Sequence, residues 1–322
     1  MVKIGLVGLG GMGTVHHSNY EVMDGVEVVA ATGATGKDRA NAKEWGIPLY
    51  NSVREMLEEE NLDVVDVCTP TFLHKEHVMA ALEKGVSVIC EKPIALNVAD
   101  AKEMFDKARE KHVHIYVGQV VRFFKEYQAL AQVIESEEYG KVLDAQFLRL
   151  SSRPRWNQGG WLFEKDKSGQ LPFDLHIHDL DYMVSVFGKP AGFTFTSAGN
   201  KDKDFKEHYR FDYDYSDFHV SIEAAWYNAE YPWTAEYRVY FENAVMENKN
   251  GQVVAYEFDK EPRIFDTEEK LKIPTGINVP PTGVYFEELS HFLDCVRKNK
   301  PSDKITEDQL ITVLETLTEI IA

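Results

Sequence analysis

The chain opens on an apolar run, Val2-Lys3-Ile4-Gly5-Leu6-Val7, breaks into Gly8-Leu9-Gly10-Gly11-Met12-Gly13 and resumes as Thr14-Val15-His16. A β-branched run that gives way to clustered glycines and then to a mixed stretch predicts strand, tight turn, helix. The alternation continues. Residues 26–30 read as a strand and 37–45 as a helix that stops at Gly46, and Ser52-Val53-Arg54-Glu55 has the form of a capping box opening the next helix. Strands follow at 64–68, 86–90 and 114–117, with helices at 74–84, closed by Gly85, and at 100–111. Strands alternating with helices of about 10 residues mean βαβ units, hence a parallel sheet covered on both faces. The expectation for residues 1–119 is a doubly wound α/β domain.

Beyond residue 119 the texture changes. A helix at about 127–136 ends near Gly140, a long strand runs over 142–150, and a polar loop over 151–171 leads to a helix at 174–187. Alternating stretches then crowd together at 193–198, 210–215, 218–226, 235–241 and 253–258 without helices between them. Such a succession predicts a large, open, mainly antiparallel sheet with helices on one face, an α+β domain spanning 120–322. Residues 260–283, with four prolines, read as an irregular crossing segment. Two helices close the chain, 285–298 and one capped by the Thr306-x-x-Gln309 box. At 322 residues the chain exceeds the usual size of one core, which agrees with two domains.

Composition narrows the classes of function. The 35 basic and 53 acidic residues leave a net charge of −18, and no basic cluster is present to neutralise the phosphates of a polynucleotide. No apolar run approaches the roughly 20 residues of a membrane span, and Met1 runs straight into the first strand. A cytoplasmic protein is expected, with no nucleic-acid or membrane partner. Cys68, Cys90 and Cys295 are too few and scattered for a disulfide framework or a metal knuckle.

The candidate chemistry begins at the glycines. In G-x-G-x-x-G between strand and helix, Gly8 permits the turn, Gly10 lets the backbone approach a pyrophosphate and Gly13 lets helix and strand pack closely. The unpaired N–H groups of the helix start attract the negative charge. Ligands of an open parallel sheet sit beyond the carboxyl ends of its strands, where Cys68-Thr69-Pro70-Thr71-Phe72-Leu73-His74 and Glu91-Lys92-Pro93 fall. Pro93 biases Lys92 toward extended backbone and aims its ammonium into the crevice. The plain alternative is a solvated lysine paired with Glu91, worth under ~1 kcal/mol.

A second constellation is Asp174-Leu175-His176-Ile177-His178-Asp179-Leu180-Asp181. On a helix Asp174, His178 and Asp181 stand at i, i+4 and i+7, one face. A carboxylate beside an imidazole fixes its tautomer and stabilises the cation formed on proton uptake, as a general base requires. The alternative is an Asp174 N-cap followed by surface histidines. A His-x-His pair without a further Cys or His cluster supplies too few ligands for a metal, and none is expected.

Taken together, Gly8-x-Gly10-x-x-Gly13-x-x-His16, Thr69-Pro70-x-x-x-His74, Glu91-Lys92-Pro93 and Asp174-x-x-x-His178-x-x-Asp181 resemble the glucose-fructose oxidoreductase and inositol dehydrogenase family over essentially the whole chain. The resemblance implies a Rossmann domain, a second domain on an open sheet used for oligomer contacts, and hydride transfer between NAD(P) and a sugar, polyol or inositol-like substrate. Carried over residue by residue, Lys92 polarises the substrate oxygen, His178 is the acid/base, Asp174 assists it and Asp181 meets substrate hydroxyls. Arg122 and Trp161 join the substrate side by their place in the chain, as do Arg153, Arg155 and Trp156. The cofactor side comprises Gly8, Gly10, Gly11, Met12 and Gly13, then Thr69, Pro70 and His74, and finally Glu91 and Lys92. Two alternatives within the same resemblance are an NAD-dependent glycosidase and a non-catalytic cofactor-sensing regulator. A homodimer or homotetramer through the C-terminal sheet is implied.

One departure bears on the cofactor. Many members end the second strand on an acidic residue that holds the adenosine ribose, and residues 28–37 contain none. Thr32 with Lys37 or Arg39 would accept a 2′-phosphate there, so the loop leans toward NADP.

Overall fold

In a computed structural model, residues 1–156, 158–277 and 279–322 are described. The first stretch alternates as its periodicity predicts. Strands β1 (Val2–Val7), β2 (Val26–Thr32), β3 (Leu49–Tyr50), β4 (Val64–Val67), β5 (Ser87–Glu91) and β6 (Ile115–Gly118) are joined by helices α1 (Gly11–Tyr20), α2 (Gly36–Trp45), α3 (Val53–Glu59), α4 (His74–Glu83) and α5 (Val98–Lys111). All pairings are parallel, in the order β3-β2-β1-β4-β5-β6. Every residue of β4 and β5 is buried, as expected of strands covered on both faces. Helices α2, α3 and α5 begin on side-chain caps: Ser52 accepts from Glu55 N–H, Asn97 from Asp100 N–H, and Thr35 and Asp38 cap each other reciprocally. The box expected at Ser52 is half formed, because the Glu55 carboxylate reaches Asn51 instead.

The second stretch carries α6 (Lys125–Ser136), β7 (Val142–Ser152), a short helix α7 (Lys165–Ser168), a π-helical turn over Pro172–His176 and α8 (Ile177–Phe187). It continues as β8 (Gly192–Ala198), β9 (His208–Asp214), β10 (His219–Tyr227), β11 (Thr234–Phe241), β12 (Val245–Lys249), β13 (Gln252–Tyr256) and β14 (Arg263–Ile264), and the chain ends in α9 (Val284–Lys298) and α10 (Glu307–Ile321). The eight strands lie in the order β14-β13-β12-β11-β7-β10-β9-β8. Pairing is antiparallel except between β7 and β10. Ala145, Phe147, Val220, Ile222, Phe211 and Val239 are buried on one face. Tyr182 of α8 meets Phe147 edge-on at 6.0 Å and donates its hydroxyl to Tyr127 O of α6, which places these helices on that face.

By backbone contacts the chain forms two units, Met1–Val120 with Glu269–Glu315, and Val121–Glu268 with Thr316–Ala322. The sequence reading assigned everything after residue 119 to one second domain, whereas residues 269–315 group with the first unit. The cause is packing of α9: Phe292 stacks on Tyr116 at 5.7 Å, the Tyr116 hydroxyl donates to Lys300 O, and α9 lies against α1. An amphipathic stripe announces a helix but not which sheet it will cover.

Candidate active site

Within the first unit, β1 ends at a turn that only glycine satisfies. Gly8 has φ +86, and a Cβ on Gly13 would stand 2.0 Å from Gly8 O, a collision with backbone that forces α1 to dock without a side chain. Gly10 is the N-cap of α1 and brings no side-chain acceptor, and the first turn holds no acidic residue. The N–H groups of Gly11, Met12 and Gly13 are therefore left for an outside acceptor, and a Cβ at Gly10 would meet nothing within 4 Å. An open backbone cradle of this kind fits a pyrophosphate.

Beside it, Thr32 ends β2 buried and accepts Gly8 N–H through its carbonyl at 2.8 Å. Lys37 and Arg39 are exposed, and Arg39 donates to Ala34 O. Residues 28–37 lack a carboxylate, but the next residue brings one back. Asp38 is buried, with Oδ1 accepting Leu9 N–H at 2.8 Å and Oδ2 accepting the Thr35 N–H and hydroxyl at 2.7 and 2.6 Å. In the sequence a carboxylate one turn into a helix does not read as lying at the strand end. Its position became visible only when the Gly33–Gly36 turn proved tight enough to lay Asp38 against Gly33.

The ends of β4 and β5 are tied by His74. Its Nε2 faces Thr69 O and its Nδ1 faces Pro93 O, both at 2.8 Å, and burial lowers its pKa. His74, expected among the cofactor contacts, thus spends both ring nitrogens on the two loops that carry Thr69 and Lys92. Thr69 turns its hydroxyl to His77 at 3.1 Å, and Pro70 precedes a short 3-10 turn. Glu91 is buried, while Lys92 stands half-buried at the carboxyl end of β5, before a cis peptide bond to Pro93.

In the second unit Asp174 sits inside the π-helical turn and His178 in the first turn of α8. Both are partly exposed, whereas His176, Asp179 and Asp181 are buried. The three residues expected on one face thus differ in burial. Asp181 accepts two hydrogen bonds from Arg122, at 2.7 Å to Nε and 2.6 Å to Nη2, and burial raises its pKa against the opposing pull of that guanidinium. Two residues expected on the substrate side, Arg122 and Asp181, thus face each other as a buried bidentate pair. The physical reason is desolvation, since a carboxylate that far from water needs a cation beside it.

Two neighbours escaped the sequence reading. Arg149 pairs with Asp179 at 2.8 and 2.7 Å and also donates to the Tyr127 hydroxyl. His176 stacks on Phe211 at 3.7 Å with Nε2 2.7 Å from the Tyr213 hydroxyl, and burial drops its pKa to about 3, so it is neutral. The available signal was an arginine at an inward position of the alternating strand Phe147-Leu148-Arg149-Leu150. In the loop, Trp161 is half-buried and Trp156 exposed. Arg153 is paired with Glu207 at 3.4 Å and Arg155 with Glu230 at 3.0 Å, and both line a cleft of about 440 Å³ with Tyr227 and Asn228.

With these features in place, two family models match. One, an oxidoreductase family with an NAD-binding Rossmann fold, covers residues 2–119, and the GFO/IDH/MocA C-terminal domain covers 127–247. The chain belongs to the GFO/IDH/MocA oxidoreductase family. Similar curated proteins include a myo-inositol 2-dehydrogenase of Thermotoga maritima, 30% identical over 58% of this chain and 55% of its own length. A D-glucoside 3-dehydrogenase of Escherichia coli is 32% identical over 59% of this chain and 55% of its own. The chain thus spans about half the length of these relatives. Among solved structures, an oxidoreductase of Agrobacterium radiobacter in complex with NAD+, L-tartaric acid and magnesium superposes with a TM-score of 0.85 at 19% identity, covering 99% of this chain and 94% of that one. That likeness speaks for the fold. Among the described residues of this family member, no helix is long and apolar enough to cross a membrane.

Proposed function

We propose that this protein is an NAD(P)-dependent dehydrogenase or reductase acting on a CH–OH carbon of a sugar, polyol or inositol-like substrate. The observation that carries the reading is Lys92. It is half-buried at the carboxyl end of β5, in the same sheet whose β1–α1 turn offers three free N–H groups to a pyrophosphate. The bound nicotinamide supplies hydride acceptance and donation. Gly11, Met12 and Gly13 hold the pyrophosphate through backbone N–H groups. Lys92 places positive charge on the substrate oxygen as it gains negative charge, and His178, oriented by Asp174, takes or gives the proton at that oxygen. Arg122 and Asp181 support the substrate side as a pair that stiffens α8, and Trp161 offers an apolar surface to a sugar ring.

NADP is expected to bind ahead of NAD. Lys37 and Arg39 are exposed at the start of α2, and the oxygens of Asp38 are committed to Leu9 and Thr35 rather than offered to a ribose diol. A charge-assisted hydrogen bond to the 2′-phosphate is worth ~1.5 to 3 kcal/mol, and the nearby Asp38 charge takes back part of it. The expected net preference is roughly tenfold. Titrating the apoprotein with both cofactors, followed by a screen of sugars and polyols for absorbance of the reduced nicotinamide, tests both statements. Tighter NAD binding overturns the preference, and cofactor binding with no turnover on any CH–OH substrate favours the regulator over the enzyme.

Tyr240 and Tyr256 are 49% and 43% exposed and share one face of the larger sheet through their common partner Val245. Covering them supports a homodimer or homotetramer, expected as a light-scattering mass two or four times that of the chain. A monomer at micromolar concentration would contradict it.

A further inference from the structure

Asp66 is a carboxylate inside the apolar strand Val64-Val65-Asp66-Val67, fully buried, and a charge there requires partners. Its Oδ2 receives the Tyr20 hydroxyl at 2.8 Å and lies 2.8 Å from His16 Nδ1. On the other side of the same ring, His16 Nε2 lies 3.0 Å from Glu91 Oε1, and Glu91 Oε2 accepts the Lys92 N–H at 3.2 Å. His16 is itself buried in α1, the helix whose start forms the pyrophosphate cradle. An unbroken chain of contacts thus runs from that helix through one imidazole to the backbone of Lys92.

We propose that His16 is a positioning residue, which sets the Glu91-Lys92 turn against the dinucleotide helix through its Nε2–Glu91 contact. Both ring nitrogens face carboxylates, so the arrangement asks for the imidazolium, with both N–H groups donating. Burial is the largest single effect and works against that charge, but the charge and hydrogen bond of Asp66, together with the Cys68 sulfur beside the ring, more than offset it and hold the His16 pKa well above its usual value. The other groups around the ring are the Cys68 thiol, pushed up by burial and so not a thiolate, the Tyr20 hydroxyl, and Tyr285 and Glu288 of α9. A protonated ring between two carboxylates, with a neutral thiol beside it, is a strut rather than a metal site, although His16, Asp66 and Cys68 stand close enough together to hold an ion. Because the folded pKa lies above the unfolded one, the strut is complete below about pH 6.5 and is lost only as pH rises through the raised value.

The role of Lys92 belongs to the proposed dehydrogenase reading, so the test uses a readout that does not need turnover. Glutamine places its amide nitrogen near the Nε2 position and asparagine near the Nδ1 position. His16→Gln therefore keeps the link to Glu91, and His16→Asn keeps only the link to Asp66. Both remove the same cation. The acetylation rate of Lys92 relative to exposed Lys37, read by mass spectrometry alongside NADH binding by fluorescence, is expected to be near wild type in His16→Gln. In His16→Asn it is expected to shift at least ~5-fold, as the ammonium changes surroundings. Equal behaviour of the two variants, or a shift confined to His16→Gln, overturns the proposal. Should neither variant fold, the imidazole 15N resonances of the wild-type protein decide. A histidine that stays doubly protonated at a pH where the exposed histidines have lost their proton supports the strut, and its absence overturns it. If no CH–OH substrate is ever turned over, these measurements still read, so the two proposals fail separately.

Discussion

Lys92→Ala is expected to bind NAD(P) with little change and to turn over substrate at least ~10²-fold more slowly. In the proposed role the ammonium would face an oxygen that carries little charge in the ground state and much more as hydride leaves or arrives, so its contribution would fall mainly on kcat rather than on KM. The proposed cofactor cradle consists of the backbone N–H groups of Gly11, Met12 and Gly13 at the start of α1, and the lysine side chain is no part of it. Lys92 is half-buried, so truncation opens no core cavity and the variant should fold. Steady-state kinetics on the substrate found by screening, with cofactor affinity measured in parallel, make the check. A rate within a few-fold of wild type would remove Lys92 from the reacting centre.

His178→Ala carries the other large effect, a loss of ~10² to 10⁴ in rate with a flattened pH profile between about pH 5 and 8. A general base must reach the proton it removes, and of the two histidines in the Asp174–Asp181 stretch only His178 is partly exposed. His176 is sealed against Phe211 and held neutral, with its pKa near 3, so it can neither exchange protons with a substrate nor contribute a titration near neutrality. The pH dependence of kcat in wild type and variant separates the possibilities. If the profile survived unchanged, a different group would be the base and Asp174 would lose its proposed role with it.

The alternation of strands and helices up to residue 119 was legible because parallel strands buried on both faces leave continuous apolar runs, and helices between them start and stop on residues with specific backbone roles. Thr306 and Gln309 cap α10 as their spacing predicts, through reciprocal bonds of 3.3 and 3.4 Å. The glycine turn was legible for the same reason, since Gly8 and Gly13 are demanded by local geometry. The short strands β3, β12 and β14 were not seen, because a few residues of mixed pattern become a strand only when a neighbour supplies hydrogen bonds.

Candidate residues divide along the same line. Lys92 and the Asp174–His178 spacing could be picked out because side-chain chemistry and sequence position were enough to nominate them. Which polar groups would instead spend their charge on each other was settled by partners distant in sequence. Arg122 meets Asp181, Arg149 meets Asp179, His16 meets both Asp66 and Glu91, and His74 meets two loop carbonyls. Asp38 is the sharpest case, one position beyond the stretch that reads as free of carboxylates, and brought to Leu9 N–H by the closure of a tight turn. Backbone propensity and periodicity act over a few residues and can be read from the chain itself. Desolvation of a charge depends on everything that closes around it, so the pairing of buried ions, and the return of α9 to the first unit, were decided only by the tertiary structure.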